Sequence, residues 1–134
     1  MARKIVGFTV ISILAIIFLI QSCSSTKLLT KNVKEIQRIT VVNLRNGNHT
    51  SEIIQTENKD LIKTIYQTIN TTRTRTVSEN VSYDPYFTIT VNYSDGTKDF
   101  IYSGESSNFI SKRISERQWI GGKNNALIGI VNSL

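Results

Sequence analysis

The chain has 134 residues, a formal charge of +6, one cysteine and one histidine. That length suits one compact domain and is too short for two once a leader is set aside. A lone cysteine excludes a disulfide framework, and one histidine leaves no transition-metal ligand set, so neither a metal nor another cofactor is expected.

Met1-Ala2-Arg3-Lys4 is a short basic opening, and Ile5 to Ile20 follow without a charge. Sixteen residues fall short of the ~20 that a membrane-spanning helix needs. A basic start, a short apolar run and a small residue before a cut describe a secretory signal instead. The tetrapeptide Ile20-Gln21-Ser22-Cys23 ends that run. It resembles the lipobox of bacterial lipoprotein precursors: an aliphatic residue, a tolerant position, a small residue, then cysteine. The resemblance covers residues 1–24. It implies a diacylglyceryl group on the Cys23 thiol, cleavage before Cys23 and acylation of the new N-terminus. On that reading residues 1–22 are the signal peptide, and losing Arg3 and Lys4 lowers the formal charge from +6 to +4. Residues 23–34 are the lipidated cysteine and a tether, since SSTKLLTKNVK holds no sustained period. Residues 35–134 then form the domain.

Glu35–Leu44 is rich in β-branched residues and predicts a strand. Asn46-Gly47 predicts a hairpin turn, with a returning strand over His49–Gln55. Asn58 is the expected cap of a helix over about 58–70, because Leu61, Ile62, Ile65, Tyr66 and Ile69 recur at helical spacing. Lys59 and Lys63 fall on its solvent side. Thr71–Val77 alternates threonine with arginine and predicts a strand with Arg73 and Arg75 on one face.

Asp84-Pro85 marks a turn before the clearest pattern, YFTITVNY-SDGT-KDFIY. A turn over Asp95-Gly96 pairs Tyr93 with Lys98, Val91 with Phe100 and Ile89 with Tyr102. That register puts Phe100 and Tyr102 on the apolar face with Phe87, Ile89, Val91 and Tyr93, and Asp99 on the polar one. SNFISKRI reads as a further strand and Gln118-Trp119-Ile120 as a short one before Gly121-Gly122. Ala126, Leu127, Ile130 and Val131 predict a short C-terminal helix, which Gly129 weakens by about 1 kcal/mol. The expected class is α+β: a mainly antiparallel sheet with one clear helix and a short C-terminal helix on one face.

Catalytic and nucleotide-binding patterns are absent from the sequence. His49 has no thiol partner, no GxSxG stands in the chain, and neither phosphate-cradling glycine motif occurs. No carboxylate pair is singled out by spacing. Two groups suit recognition. Arg73 and Arg75, with Lys59 and Lys63, offer a basic patch to anionic polymers or headgroups. Tyr83, Tyr86 and Trp119 lie in aromatic, glycine-bearing stretches suited to a peptide or sugar contact.

Behind its lipobox, the order of elements is similar in outline to small lipoproteins of low-GC bacteria. The resemblance implies an exported, lipid-anchored envelope protein, at the cell membrane or an outer membrane. Its expected partners are the membrane, through the lipid on Cys23, and an envelope protein or anionic polymer; nucleic acid is not expected. A non-enzymatic binding or accessory domain is the first reading. The alternative is an envelope enzyme or enzyme inhibitor with its site on the 78–86 or 103–122 loops.

Overall fold

In the computed structural model, the structure describes residues 26–43, 52–77, 86–103 and 108–134. Strands β1 (Ile36–Asn43) and β2 (Glu52–Thr56) come first, then helix α1 (Lys59–Asn70) and strand β3 (Arg75–Val77). Strands β4 (Phe87–Tyr93), β5 (Lys98–Ser103), β6 (Phe109–Arg113) and β7 (Trp119–Lys123) follow, and helix α2 (Asn125–Ser133) closes the chain. The strands form one sheet in the order β2-β1-β4-β5-β6-β7-β3, with every neighbouring pair antiparallel. This is the α+β architecture that the periodicity predicts.

Helix α1 begins where its cap predicts. The Asn58 side-chain oxygen accepts from the Asp60 and Leu61 N–H groups at 3.0 and 3.1 Å, a cap worth about 1 kcal/mol. Ile62, Ile65 and Ile69 are buried against the sheet, and Leu61 and Tyr66 pack at the margin. Helix α2 is capped by Asn124, whose side-chain oxygen accepts from Leu127 N–H at 2.9 Å. The same side chain donates to the Thr68 carbonyl and the Thr72 hydroxyl, at 2.7 and 2.8 Å. One buried amide thus ties the end of α1 to the start of α2.

Both helices cover one face of the sheet, on Ile39, Val41, Phe87, Ile89, Val91, Tyr93, Ile101, Ile110 and Ile120. Full burial of each such side chain contributes about 1.5–3 kcal/mol. Strand β3 is shorter than the expected Thr71–Val77, because Thr71 caps the end of α1 and Thr72 serves the Asn124 network. Gly122 explains how this segment sits so close: a Cβ there would strike the Arg73 carbonyl oxygen.

Two expectations are corrected. The first is the β4–β5 register. Thr90 lies opposite Phe100, and Ile89 opposite Ile101, one residue away from the expected pairing. The cause is the turn. Gly96 N–H donates to the Tyr93 carbonyl and Tyr93 N–H to the Thr97 carbonyl, both at 3.0 Å, with Gly96 at φ 85°. This is a three-residue loop, Ser94-Asp95-Gly96, with glycine in the left-handed region, rather than a two-residue loop. One extra loop residue moves every β5 side chain to the other face. Asp99, Ile101 and Ser103 are buried on the helix side, while Phe100 is 47% exposed on the other.

The second correction concerns the tether. From Thr26 onward the segment expected to link anchor and domain is part of the fold. Leu28 and Leu29 are 1% and 4% exposed and belong to the core. The segment runs as a strap over the helix-bearing face. Near Thr26 it meets the segment before β3, since Thr74 Oγ1 donates to the Thr26 carbonyl at 2.6 Å. At Thr30 it reaches β5, and after a 3-10 turn (Val33–Glu35), capped by Asn32, it enters β1. The packed unit therefore begins before residue 35.

Candidate functional site

The strap is fastened at one buried carboxylate. Asp99, 3% exposed, takes three donors on Oδ2: the Thr30 N–H at 2.7 Å, the Thr30 hydroxyl at 2.9 Å and the Tyr93 hydroxyl at 2.5 Å. Lys112 Nζ donates to Oδ1 at 2.5 Å and is itself nearly buried. Burial alone would push the Asp99 carboxyl up, but the Lys112, Thr30 and Tyr93 bonds outweigh it and hold it below the usual carboxylate range. Burial, and then the neighbouring carboxylate, push the Tyr93 phenol well above its ordinary value. Beside this cluster Lys31 pairs with Asp95 and lies 5.5 Å from the Tyr93 ring centre. The Asp95 carboxyl is held far below its ordinary range by Lys31 and then by Thr97.

Chemically this is a clasp. A general base needs a free lone pair and a pKa near the working pH, whereas Asp99 is ionised and takes four donors. Lys112 spends its charge on Asp99. The pair fixes the strap and orients β5 against β6.

On the opposite face of the sheet, over which no described element lies, Phe100 is exposed while Tyr102, Phe109 and Trp119 are half-buried. In the observed register Phe100, Tyr102, Phe109 and Trp119 all alternate onto this face. The Tyr102 and Trp119 rings meet edge to face, 5.6 Å between centres at 67°. Gly121 makes room for the third ring: a Cβ there would lie 2.8 Å from Phe109 Cε1 and 2.5 Å from the Ile110 carbonyl oxygen. Ser111, between Tyr102 and Gly121 in the register, is wholly buried, and its hydroxyl has no partner among the described residues. At the far edge Ile53 is 61% exposed. Arg113 flanks the rings, its guanidinium donating to the Ser115 and Glu116 carbonyls at 3.0 and 2.6 Å.

The residues singled out from sequence are therefore redistributed. Trp119 is on the open face, but Tyr86 is half-buried against the helix-side core, so the two do not form one site. Cys23, Tyr83, His49, the Asn46-Gly47 turn and most of the 78–86 loop lie outside the described residues. Lys59 and Lys63 belong to the first half of α1, which starts next to the β2 edge. Arg73 and Arg75 lie at or beside the β3 edge, across a sheet about 29 Å wide at ~4.8 Å per strand. The four do not make one patch. Phe100, Tyr102 and Phe109 escaped the sequence reading because it assigned the first two to the core. The signal that finds them is the three-residue loop ending in Gly96.

Comparison with protein-family models, with curated proteins and with solved structures finds no match in any of the three. Among the described residues no helix is long and apolar enough to cross a membrane, and no group of three metal-binding side chains occurs.

Proposed function

We propose that this chain is a lipid-anchored binding or accessory domain of the cell envelope, without catalytic chemistry of its own. Its address rests on Ile20-Gln21-Ser22-Cys23 at the end of an uncharged run, which would place it at the cell membrane or an outer membrane. The observation that carries the binding role is the open sheet face. Phe100 is exposed beside the Tyr102–Trp119 pair, with Arg113 on the same face and Ile53 exposed three strands away on β2. Tyr, Trp, Phe and Arg are the side chains enriched at protein–protein contacts. An aliphatic group such as Ile53 suits a protein surface better than a sugar ring. The occupant is therefore an envelope protein that presents an apolar patch with an acidic rim to meet Arg113.

The test uses the intact lipoprotein, solubilised in detergent and captured with its bound material. Intact mass should lack residues 1–22 and include acyl groups, and Cys23→Ala should abolish both changes. One envelope protein should co-purify in fixed ratio, be lost from Phe100→Asp and be kept by Lys63→Glu on the helix side. Retention by Phe100→Asp, or capture of an anionic polymer alone, overturns the assignment of this face.

A further inference from the structure

We infer that the domain docks its β3 edge onto anionic lipid headgroups of the membrane that holds it; this rests on the proposed lipidation of Cys23. The link between anchor and fold is far shorter than the sequence suggests. Cys23 and Thr26 are three residues apart, at most ~11 Å of chain. From Thr26 the strap is held: Thr74 bonds its carbonyl, Leu28 and Leu29 are buried, and Thr30 is bonded to Asp99. The packed domain thus starts about one Debye length from the acylated residue, ~8 Å at physiological ionic strength.

The chain enters the fold among cations. Thr74 is flanked by Arg73 and Arg75, and Lys27 follows Thr26; all three basic residues are exposed. The Arg73 carbonyl lies against Gly122, which brings Lys123, also exposed, to the same edge. The ion pairs formed among the described residues involve Lys31, Arg38 and Lys112, so none of these four cations is spent on a described carboxylate. Basic residues clustered next to a lipid anchor are the arrangement that holds a protein against anionic headgroups. Here the acyl chains fix position, and the four cations fix which side faces down. Anionic polymers would be drawn to the same charges, but a three-residue link brings headgroups to this edge first. The backbone of an edge strand is also left polar and unpaired on its outer side, which suits a wet headgroup layer and not a hydrocarbon one.

The experiment is amine footprinting of the intact lipoprotein in vesicles of pure phosphatidylcholine or with about one third phosphatidylglycerol. Acetylation of each lysine is followed by mass spectrometry, after intact mass has shown whether acyl groups are present. Lys27 and Lys123 should be acetylated several-fold more slowly in anionic vesicles, with normal rates restored by high salt. Lys59 and Lys63, in the same molecules, should react alike in both. Each basic residue near an anionic surface is worth about a five-fold change in occupancy, so Arg73→Gln with Arg75→Gln should reduce docking about 25-fold and remove the protection. Both side chains are exposed, so the fold should survive. Acylated protein whose lysines react alike in both vesicles overturns the docking while leaving lipidation standing, as does protection confined to Lys59 and Lys63. Protein without acyl groups refutes the anchor instead.

Discussion

Replacing Asp99 with alanine tests the clasp that joins strap, hairpin and sheet. The substitution leaves the Lys112 ammonium nearly buried with no counter-charge, the Tyr93 hydroxyl buried without its acceptor, and Thr30 without two bonds. Removing one partner of a buried pair costs about 3–5 kcal/mol. Lys112 can shift toward water at its exposed margin, which favours the lower end. The stranded phenol adds about 1–2 kcal/mol, and Thr30, which is partly solvated, adds little. A total of about 4–5 kcal/mol is a large share of the ~5–15 kcal/mol that holds a small domain. Lys112→Met should cost less, about 1–3 kcal/mol, because Asp99 keeps three donors. Urea melts of the protein and its variants measure both. The pH dependence gives an independent check of sign. The folded carboxyl titrates below the unfolded value of ~3.9, so its contribution is complete above that value and is lost as pH falls toward the folded pKa. Asp99→Asn should therefore flatten the acid limb of the stability curve relative to the parent. A cost of Asp99→Ala below 1 kcal/mol, or a cost of Lys112→Met that exceeds it, would refute the clasp.

Leu28→Ala removes a wholly buried side chain from the strap and should cost about 2–5 kcal/mol in the same melts; a cost near zero would return residues 24–34 to the status of a tether. Ile101→Asp buries an unpaired charge and should unfold a marginal domain, whereas Phe100→Asp on the open face should cost under ~1 kcal/mol. The reverse order would restore the register expected from sequence.

What was legible in the chain was what repeats over short range. Alternation along Phe87, Ile89, Val91 and Tyr93 marked the buried face of β4, and the structure buries all four. The 3.6-residue stripe with an asparagine cap marked α1. Strand β5 was misread because Lys98-Asp99-Phe100-Ile101-Tyr102 offers two aromatics on one face and a single isoleucine on the other. Hydrophobicity then favours burying Phe100 and Tyr102. The turn decided otherwise, since Ser94-Asp95-Gly96 closes as three residues with Gly96 in the left-handed region. The strap left even less signal. Leu28-Leu29 is a single apolar pair without a period, and its fastening joins Thr30 to a residue 69 positions away. Long-range polar bonds of this kind leave no local pattern.

The clasp and the open face follow from one choice of register. If β5 slipped by one residue, Phe100 and Tyr102 would enter the core, and burying a phenylalanine is worth about 1.5–3 kcal/mol. The same slip would carry Asp99 out to solvent, leave Lys112 buried alone and release Thr30 and the strap. The pair at 2.5 Å and the three Oδ2 bonds oppose that slip, so the aromatic side chains stay outside through a polar anchor on the inside. The strap that this anchor holds also sets where the chain enters the fold, at the β3 edge. On the proposed docking, a sheet standing on that edge points its open face sideways, parallel to the membrane plane, with Ile53 at the opposite edge about 29 Å higher. An envelope protein fixed in the same membrane would meet Phe100, Tyr102 and Trp119 from the side, at the high effective concentration that shared anchorage provides. A single buried aspartate thereby couples the stability of the domain to the exposure of its open face and, on the proposed docking, to the direction in which that face looks.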